Sequence, residues 1–301
     1  MIYQNMLGLV GNTPMVKINK LVGNNDAAVL AKLEGQNLGG SIKGGMALYM
    51  IEDAEKSGKL TKDKILIEAS SGNTGIAMAI IAGIKGYKIT IVIPESVSVE
   101  RRKLIKAYGA KLVLSSGEKG TDGASEVKDK LLEENPDKYV NLNQFKNPAN
   151  VLAHCKITGK EILKQTNGDV NLVVLGIGTA GTGVGVSKCL KEYNPKIQIV
   201  GVMPEVGTKI QGLRNSKEVQ NARFFQKDAF DEIIEISNGE IVETFAVARE
   251  LASKEGILAG MSSGAAMYVA LQKARELKKG KTIVAILPDT GERYLSTELF
   301  G

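Results

Sequence analysis

The 301-residue chain has one histidine, His154, a scarcity that comes close to excluding a histidine-based catalytic triad or a histidine-rich zinc site. Cysteine is scarce too. Cys155 and Cys189 make neither a disulfide framework nor a metal cluster, and both fall in helical patterns, where a small buried hydrophobe is the expected role. No apolar run approaches the ~18 residues needed to span a bilayer. The opening Met1-Ile2-Tyr3-Gln4 lacks the basic region and apolar stretch of an export signal, so the expectation is a soluble, cytoplasmic protein. Basic residues outnumber acidic ones by 39 to 33, a net charge of +6, yet they form no block or arm. That argues for a solvated surface, with no nucleic-acid or membrane partner. Repeats, low-complexity tracts and proline-rich linkers are missing as well, so topology alone must place any domain boundary.

What is present is an alternation. With 43% hydrophobic and 24% charged residues the chain can bury one large core or two domains. Ala28 to Leu33, Ile65 to Glu68, Lys88 to Ile93, Lys111 to Leu114, Leu172 to Leu175, Ile197 to Val202 and Thr282 to Leu287 read as short, mostly apolar strands. Helix patterns lie between them, over Gly45 to Lys56, Gly75 to Ile84, Val99 to Tyr108, Thr121 to Glu134, Glu243 to Lys254 and Ser263 to Lys278. Continuous apolar strands with helical crossovers imply an α/β protein whose parallel sheets are covered on both faces. Such sheets bind ligands beyond the carboxyl ends of their strands, so the stretches that follow strands carry the chemistry.

Four of them stand out. After Asn171-Leu172-Val173-Val174-Leu175 comes Gly176-Ile177-Gly178-Thr179-Ala180-Gly181-Thr182 and then a helix pattern. Glycines there bring bare N–H groups to a helix N-terminus, where the dipole favours a phosphate dianion. Gly176, Gly178 and Gly181 fit G-x-G-x-x-G, and Glu205 follows the next strand where a ribose-binding acid belongs; taken alone, the motif leaves a dinucleotide and a single phosphate-bearing cofactor both open. The second stretch, Gln36 to Gly45, is glycine-rich and sets Lys43 at the mouth of a helix. The dipole disfavours an ammonium in that place, which suits the amine to a Schiff base, although a solvated lysine is the plainer alternative. The third, Glu68-Ala69-Ser70-Ser71-Gly72-Asn73-Thr74-Gly75, clusters more hydroxyl and amide groups than one N-cap needs, and a substrate carboxylate is the natural guest. The fourth is Gly260-Met261-Ser262-Ser263-Gly264-Ala265, where capping accounts for one serine of the pair.

In this order, a lysine after Gly-Gly-Ser-x, the Ser-Gly-Asn-Thr-Gly loop, Asn143-Gln144-Phe145, Gly-Thr-x-Gly-Thr and Ser-Ser-Gly-Ala resemble the signature of the cysteine synthase and cystathionine β-synthase family. These are pyridoxal-phosphate enzymes of fold type II, with the tryptophan synthase β-like architecture. The resemblance runs from Gly11-Asn12-Thr13-Pro14 through Glu100-Arg101-Arg102-Lys103 to Gly291-Glu292-Arg293-Tyr294-Leu295-Ser296-Thr297. Within the family, Ile210-Gln211-Gly212-Leu213-Arg214-Asn215 is most similar to the B-isoform type of O-acetylserine sulfhydrylase or its phosphoserine-using relatives.

The resemblance implies two three-layer α/β domains with the cofactor between them: a smaller mobile one over 35–144, and a larger one made of 1–34 plus 145–301. It implies that Lys43 holds pyridoxal 5′-phosphate as an aldimine and shuttles the Cα proton. Gly178, Thr179, Ala180, Gly181 and Thr182 would take the phosphate, Asn73 the ring's 3′ oxygen, and Ser262 the pyridine nitrogen. A neutral serine there leaves the nitrogen largely unprotonated and favours β-chemistry over transamination. Ser70, Ser71, Gly72, Thr74 and Gln144 would bind the substrate carboxylate. The implied reaction is β-replacement on an activated L-serine, O-acetyl-L-serine plus sulfide giving L-cysteine and acetate through an α-aminoacrylate intermediate, in a homodimer. The alternative keeps the machinery but uses L-cysteine as donor, releasing hydrogen sulfide and forming lanthionine or L-serine; a nicotinamide dinucleotide-binding protein is the reading from another class. Arg214 bears on the donor, since it could recognise an anionic one such as phosphoserine. Three departures from the family's common pattern surround the acceptor pocket: Gly44-Gly45 where Asp-Arg often follows the lysine, Ser70 in place of threonine, and Asn37-Leu38 in place of Asn-Pro. No metal, haem or regulatory domain is expected.

Overall fold

A computed structural model describes residues 2–70, 72–220 and 222–301. The first stretch of chain carries β1 (Met15–Lys17), β2 (Ala28–Leu33), α1 (Lys43–Lys56), β3 (Ile65–Ala69), α2 (Asn73–Lys85), β4 (Lys88–Pro94) and α3 (Val99–Ala107). Next come β5 (Lys111–Ser115), α4 (Gly120–Glu134), β6 (Tyr139–Asn141), α5 (Pro148–His154) and α6 (Lys160–Thr166). The remainder holds β7 (Leu172–Gly176), α7 (Gly181–Tyr193), β8 (Gln198–Pro204), α8 (Ser216–Val219), β9 (Glu232–Ile236), α9 (Ile241–Glu255), α10 (Met261–Leu277) and β10 (Thr282–Leu287).

These elements form two compact units. One comprises the chain up to Gly11 together with Asn37–Ala149, the other Asn12–Gln36 together with Asn150–Gly301. The first unit holds a parallel sheet in the order β5-β4-β3-β6, with Ile65 opposite Lys88 on one side and Tyr139 on the other. In β4 the six residues after Lys88 are buried, the mark of a strand covered on both faces. Helix α2 is buried without a break from Thr74 to Ala82, because Ala77, Ala79 and Ala82 let it lie close to its neighbours. Gly86 ends it in the left-handed conformation, donating its N–H to the carbonyls of Ala82 and Gly83.

The second unit holds the order β1-β2-β10-β7-β8-β9, parallel except for β1 against β2. Its core packs Val174, Val200 and Ala285 of the sheet against Ala265, Ala266 and Ala270 of α10 and Phe245 and Ala248 of α9. The predicted strands and helices all occur, with ends shifted by a few residues. Three strands lie outside the expected set. β1 and β6 have three residues each, too few for a period to show. In β9 the sequence Glu232-Ile233-Ile234-Glu235-Ile236 leaves both glutamates exposed at a sheet edge, so the run neither alternates nor stays apolar. Between α5 and α6 the helical path widens into one π-type turn at Cys155–Gly159. Among the described residues no helix is long and apolar enough to cross a membrane.

Candidate active site

In the first unit Lys43 is the opening residue of α1, and its N–H donates to Ser41 Oγ at 3.4 Å. The loop before it is shaped by Gly39 and Gly40, both left-handed at φ +77° and +69°. Asn37 ties this loop down. Its Oδ1 accepts the N–H of Gly11 at 3.2 Å and that of Leu38 at 2.8 Å. Proline in place of Leu38 would have no N–H for the second bond. A Cβ on Gly44 would lie 2.7 Å from the Leu38 carbonyl oxygen and 2.9 Å from Asn37 Oδ1. The Leu38 carbonyl thus occupies the space that a side chain on residue 44 would need.

The loop after β3 is drawn in by Ser70, whose buried Oγ accepts the N–H groups of Gly72 at 3.0 Å and Gly75 at 3.1 Å. A hydroxyl held in this way keeps a proton to donate. Gly72 adopts φ +141°, and a Cβ there would collide with Arg101 Cδ. Asn73 opens α2, and the hydroxyl of Thr74 donates to Gln144 Oε1 at 2.7 Å, with both residues buried. Ser70, Gly72, Asn73, Thr74 and Gln144 thus come together at one helix N-terminus, while Ser71 lies outside the described residues. Helix α1, which Lys43 begins, packs against α2.

In the second unit the glycine loop joins β7 to α7, and Ala180, at φ +64°, turns successive N–H groups toward one side of the helix start. A Cβ on Gly178 would meet the Gly212 carbonyl oxygen at 2.7 Å. Gly212, at φ +94°, in turn packs toward Ser262, whose Oγ would lie 3.5 Å from a Cβ on residue 212. Thr179 Oγ1 accepts from Asn150 Nδ2 at 3.1 Å and from the Gly181 N–H at 3.4 Å. Thr182 Oγ1 is hydrogen-bonded to His154 Nε2 at 3.2 Å, and His154 Nδ1 to Thr158 Oγ1 at 3.3 Å. Backbone N–H groups, two braced hydroxyls and the positive end of a 13-residue helix are the donor set that fits a phosphate monoester.

Ser262 is buried in the first turn of α10. The backbone of Arg214 is joined to the glycine loop, its N–H donating to the Ile177 carbonyl at 2.9 Å, while its Nη1 donates to the Glu218 carbonyl at 3.3 Å. Glu205 follows β8, exposed, with its N–H on the Ile236 carbonyl at 2.9 Å. The cysteines are both buried, and burial, with Cys155 adjacent, pushes the Cys189 thiol up to about 11. Sequence reasoning missed Asn150 and His154. The signal was there: they are four residues apart on a helix, hence on one face, and that face meets Thr179 and Thr182.

A lysine opening one helix, a hydroxyl-lined loop opening another and a phosphate cradle opening a third define the class of α/β enzymes that work through a lysine-bound, phosphate-bearing cofactor. The chain belongs to the pyridoxal-phosphate dependent enzyme family, whose model matches residues 6–289. It is similar to a cysteine synthase of Staphylococcus aureus, 44% identical over 304 residues that cover 98% of this chain and 96% of the relative. Cysteine synthase B of Salmonella typhimurium is 43% identical over 97% of this chain and 94% of its own. Among solved structures, a hydrogen sulfide-producing enzyme from Fusobacterium nucleatum is 39% identical, with a TM-score of 0.92 over 98% of this chain and all of that one. This family membership removes the nicotinamide reading. The donors of the G-x-G-x-x-G loop fit a single phosphate, and Glu205 then has no ribose to bind.

Proposed function

We propose that the protein is a cysteine synthase, replacing the acetoxy group of O-acetyl-L-serine with sulfide. The single observation that carries this reading is the preformed loop at the start of α2, where Ser70 and Thr74, with Gln144 closing over Thr74, offer hydroxyl and amide donors to an amino acid's carboxylate. The match to cysteine synthases over nearly the whole chain supports it.

The residues divide the work. Lys43 Nζ would hold the cofactor through its aldehyde carbon and would carry the proton at the substrate's Cα. The N–H groups of Gly178, Thr179, Ala180, Gly181 and Thr182 would hold the cofactor's phosphate, with Asn150 and His154 fixing the two threonine hydroxyls. Asn73 would bind the ring's 3′ oxygen, and Ser262 would offer the ring nitrogen a neutral hydroxyl. The bound cofactor supplies an electron-withdrawing ring that lets Cα lose its proton and Cβ its leaving group. Ser70, Gly72, Thr74 and Gln144 fix the amino acid by its carboxylate and so set Cα against Lys43, and a closed loop there keeps water from competing with sulfide. Ser71 belongs to the same group by sequence.

A second reading takes L-cysteine as donor, with hydrogen sulfide released and lanthionine or L-serine formed. The likeness to the hydrogen sulfide-producing enzyme and the unusual Leu38 and Gly44 contact beside Lys43 favour it. Arg214 would matter for an anionic donor such as phosphoserine. A cytoplasmic homodimer is the assembly and place this reading expects.

The purified protein should be yellow and form L-cysteine from O-acetyl-L-serine and sulfide. Borohydride should fix the cofactor covalently in the wild type and fix none in Lys43→Ala, which should turn over no substrate. If O-acetyl-L-serine fails while L-cysteine alone releases sulfide, the second reading replaces the first.

A further inference from the structure

Glu68, on β3 in the first unit, is 2% exposed. A buried carboxylate demands donors. Asn141 on the adjacent strand β6 gives Nδ2 to Glu68 Oε2 at 3.0 Å while also holding the Ile67 carbonyl at 2.8 Å. The backbone N–H groups of Asn143 and Gln144 supply two more. These two residues form the turn after β6, where Asn143 is left-handed at φ +52°, a conformation that asparagine tolerates better than most residues. The turn delivers Gln144 Oε1 to the hydroxyl of Thr74. Two residues beyond Glu68 stands Ser70, whose Oγ organises the opposite side of the same loop. One carboxylate thus fastens the strand that leads into the loop to the turn that closes it.

Stability does not explain its presence. The facing charge is Lys128 of α4, itself paired with Asp129 at 2.8 Å. Burial outweighs that charge and the three donors, raising the carboxyl from 4.5 to about 7. With the folded value above the unfolded one, the folded state holds the extra proton, so this group's stabilising share is complete below about 4.5 and lost as pH rises through about 7. The ionised carboxylate is a cost to the fold.

We propose that Glu68 is a positioning residue for the substrate, its carboxylate fixing the Asn143 and Gln144 turn so that Gln144 and Thr74 meet the amino acid's carboxylate. The inference rests on the reading of Ser70, Thr74 and Gln144 as the carboxylate site. Glu68→Gln presents an amide donor where donors already converge, which loosens the turn and leaves the cofactor's own ligands untouched.

The test measures KM and kcat for O-acetyl-L-serine between about pH 6 and 8 in the holoenzyme, in Glu68→Gln and in Gln144→Ala, with melting curves of each. Glu68→Gln should raise KM about tenfold with kcat changed no more than about twofold and cofactor absorbance retained. In the wild type KM should rise as pH falls below about 7, and in Glu68→Gln that dependence should vanish along with the matching pH slope of the melting temperature. If Gln144→Ala raises KM and Glu68→Gln does not, the inference alone falls. If Gln144→Ala leaves KM unchanged, the carboxylate reading falls and takes the inference with it. Should Glu68→Gln fail to fold, the wild-type profile decides, and a KM that is flat across this range overturns the inference.

Discussion

At the scale of single residues, the informative contacts are those between positions that the sequence presents separately. Leu38 and Gly44 each break the family's pattern, and in the sequence each looks like a free substitution. For Gly44 the structure gives a reason, since a Cβ there would lie 2.7 Å from the backbone carbonyl of residue 38. Gly44→Ala should therefore push the start of α1 away from the loop and displace Lys43. We expect about 1–3 kcal/mol of destabilisation and a roughly tenfold loss of turnover, read by thermal melting and by the cysteine assay. A stability and rate equal to wild type would mean that the loop yields without cost. The residues of the candidate site were legible as types after strands, since Lys43, Ser70, Asn73 and Thr179 all stand at helix starts. Glu68 was visible only as the end of an apolar strand, because its donors come from a turn on another strand and no local pattern announces them.

At the scale of elements, helix starts organise everything. α1, α2, α7 and α10 each begin within one or two residues of a predicted site residue, and their apolar strands and glycine-rich entries made them readable. The exceptions are instructive. β9 is half polar because one edge faces solvent, and α5 with its π turn carries no glycine motif, so its contacts to the glycine loop stayed hidden. That helix presents Asn150 and His154 on one face, and Asn150 gives Thr179 its bracing hydrogen bond at 3.1 Å. Asn150→Ala should weaken pyridoxal-phosphate binding about five- to tenfold, the worth of one buried hydrogen bond, when the apoprotein is titrated with the cofactor. Unchanged affinity would show that the backbone N–H groups hold the loop unaided.

At the scale of the whole molecule, the chain order and the spatial order part company, since Asn12–Gln36 lies far ahead in sequence of the Asn150–Gly301 stretch it joins. β2 is one anchor, seated between β1 and β10. The other is a buried charge. Lys32 on β2 is wholly inaccessible, and its Nζ reaches the Thr13 carbonyl and Glu161 Oε2 at 2.6 Å each and Gln165 Oε1 at 2.9 Å. Glu161 in turn accepts the N–H groups of Asn12 at 2.6 Å and Thr13 at 3.2 Å, so helix α6 grips the entering chain from both sides of the ion pair. The glutamate side chain is only 16% exposed, so water replaces it poorly beside the buried ammonium. Glu161→Ala leaves an ammonium in the interior and two N–H groups without their acceptor, at a cost of about 3–5 kcal/mol. In a protein of this length that lowers the melting temperature on the order of 10 °C. Replacing both partners, as Lys32→Met with Glu161→Leu, removes the stranded charge along with the pair and should recover more than half of the loss. A double variant as unstable as the single one would assign the cost to the Asn12 and Thr13 hydrogen bonds, because those are what the two variants share.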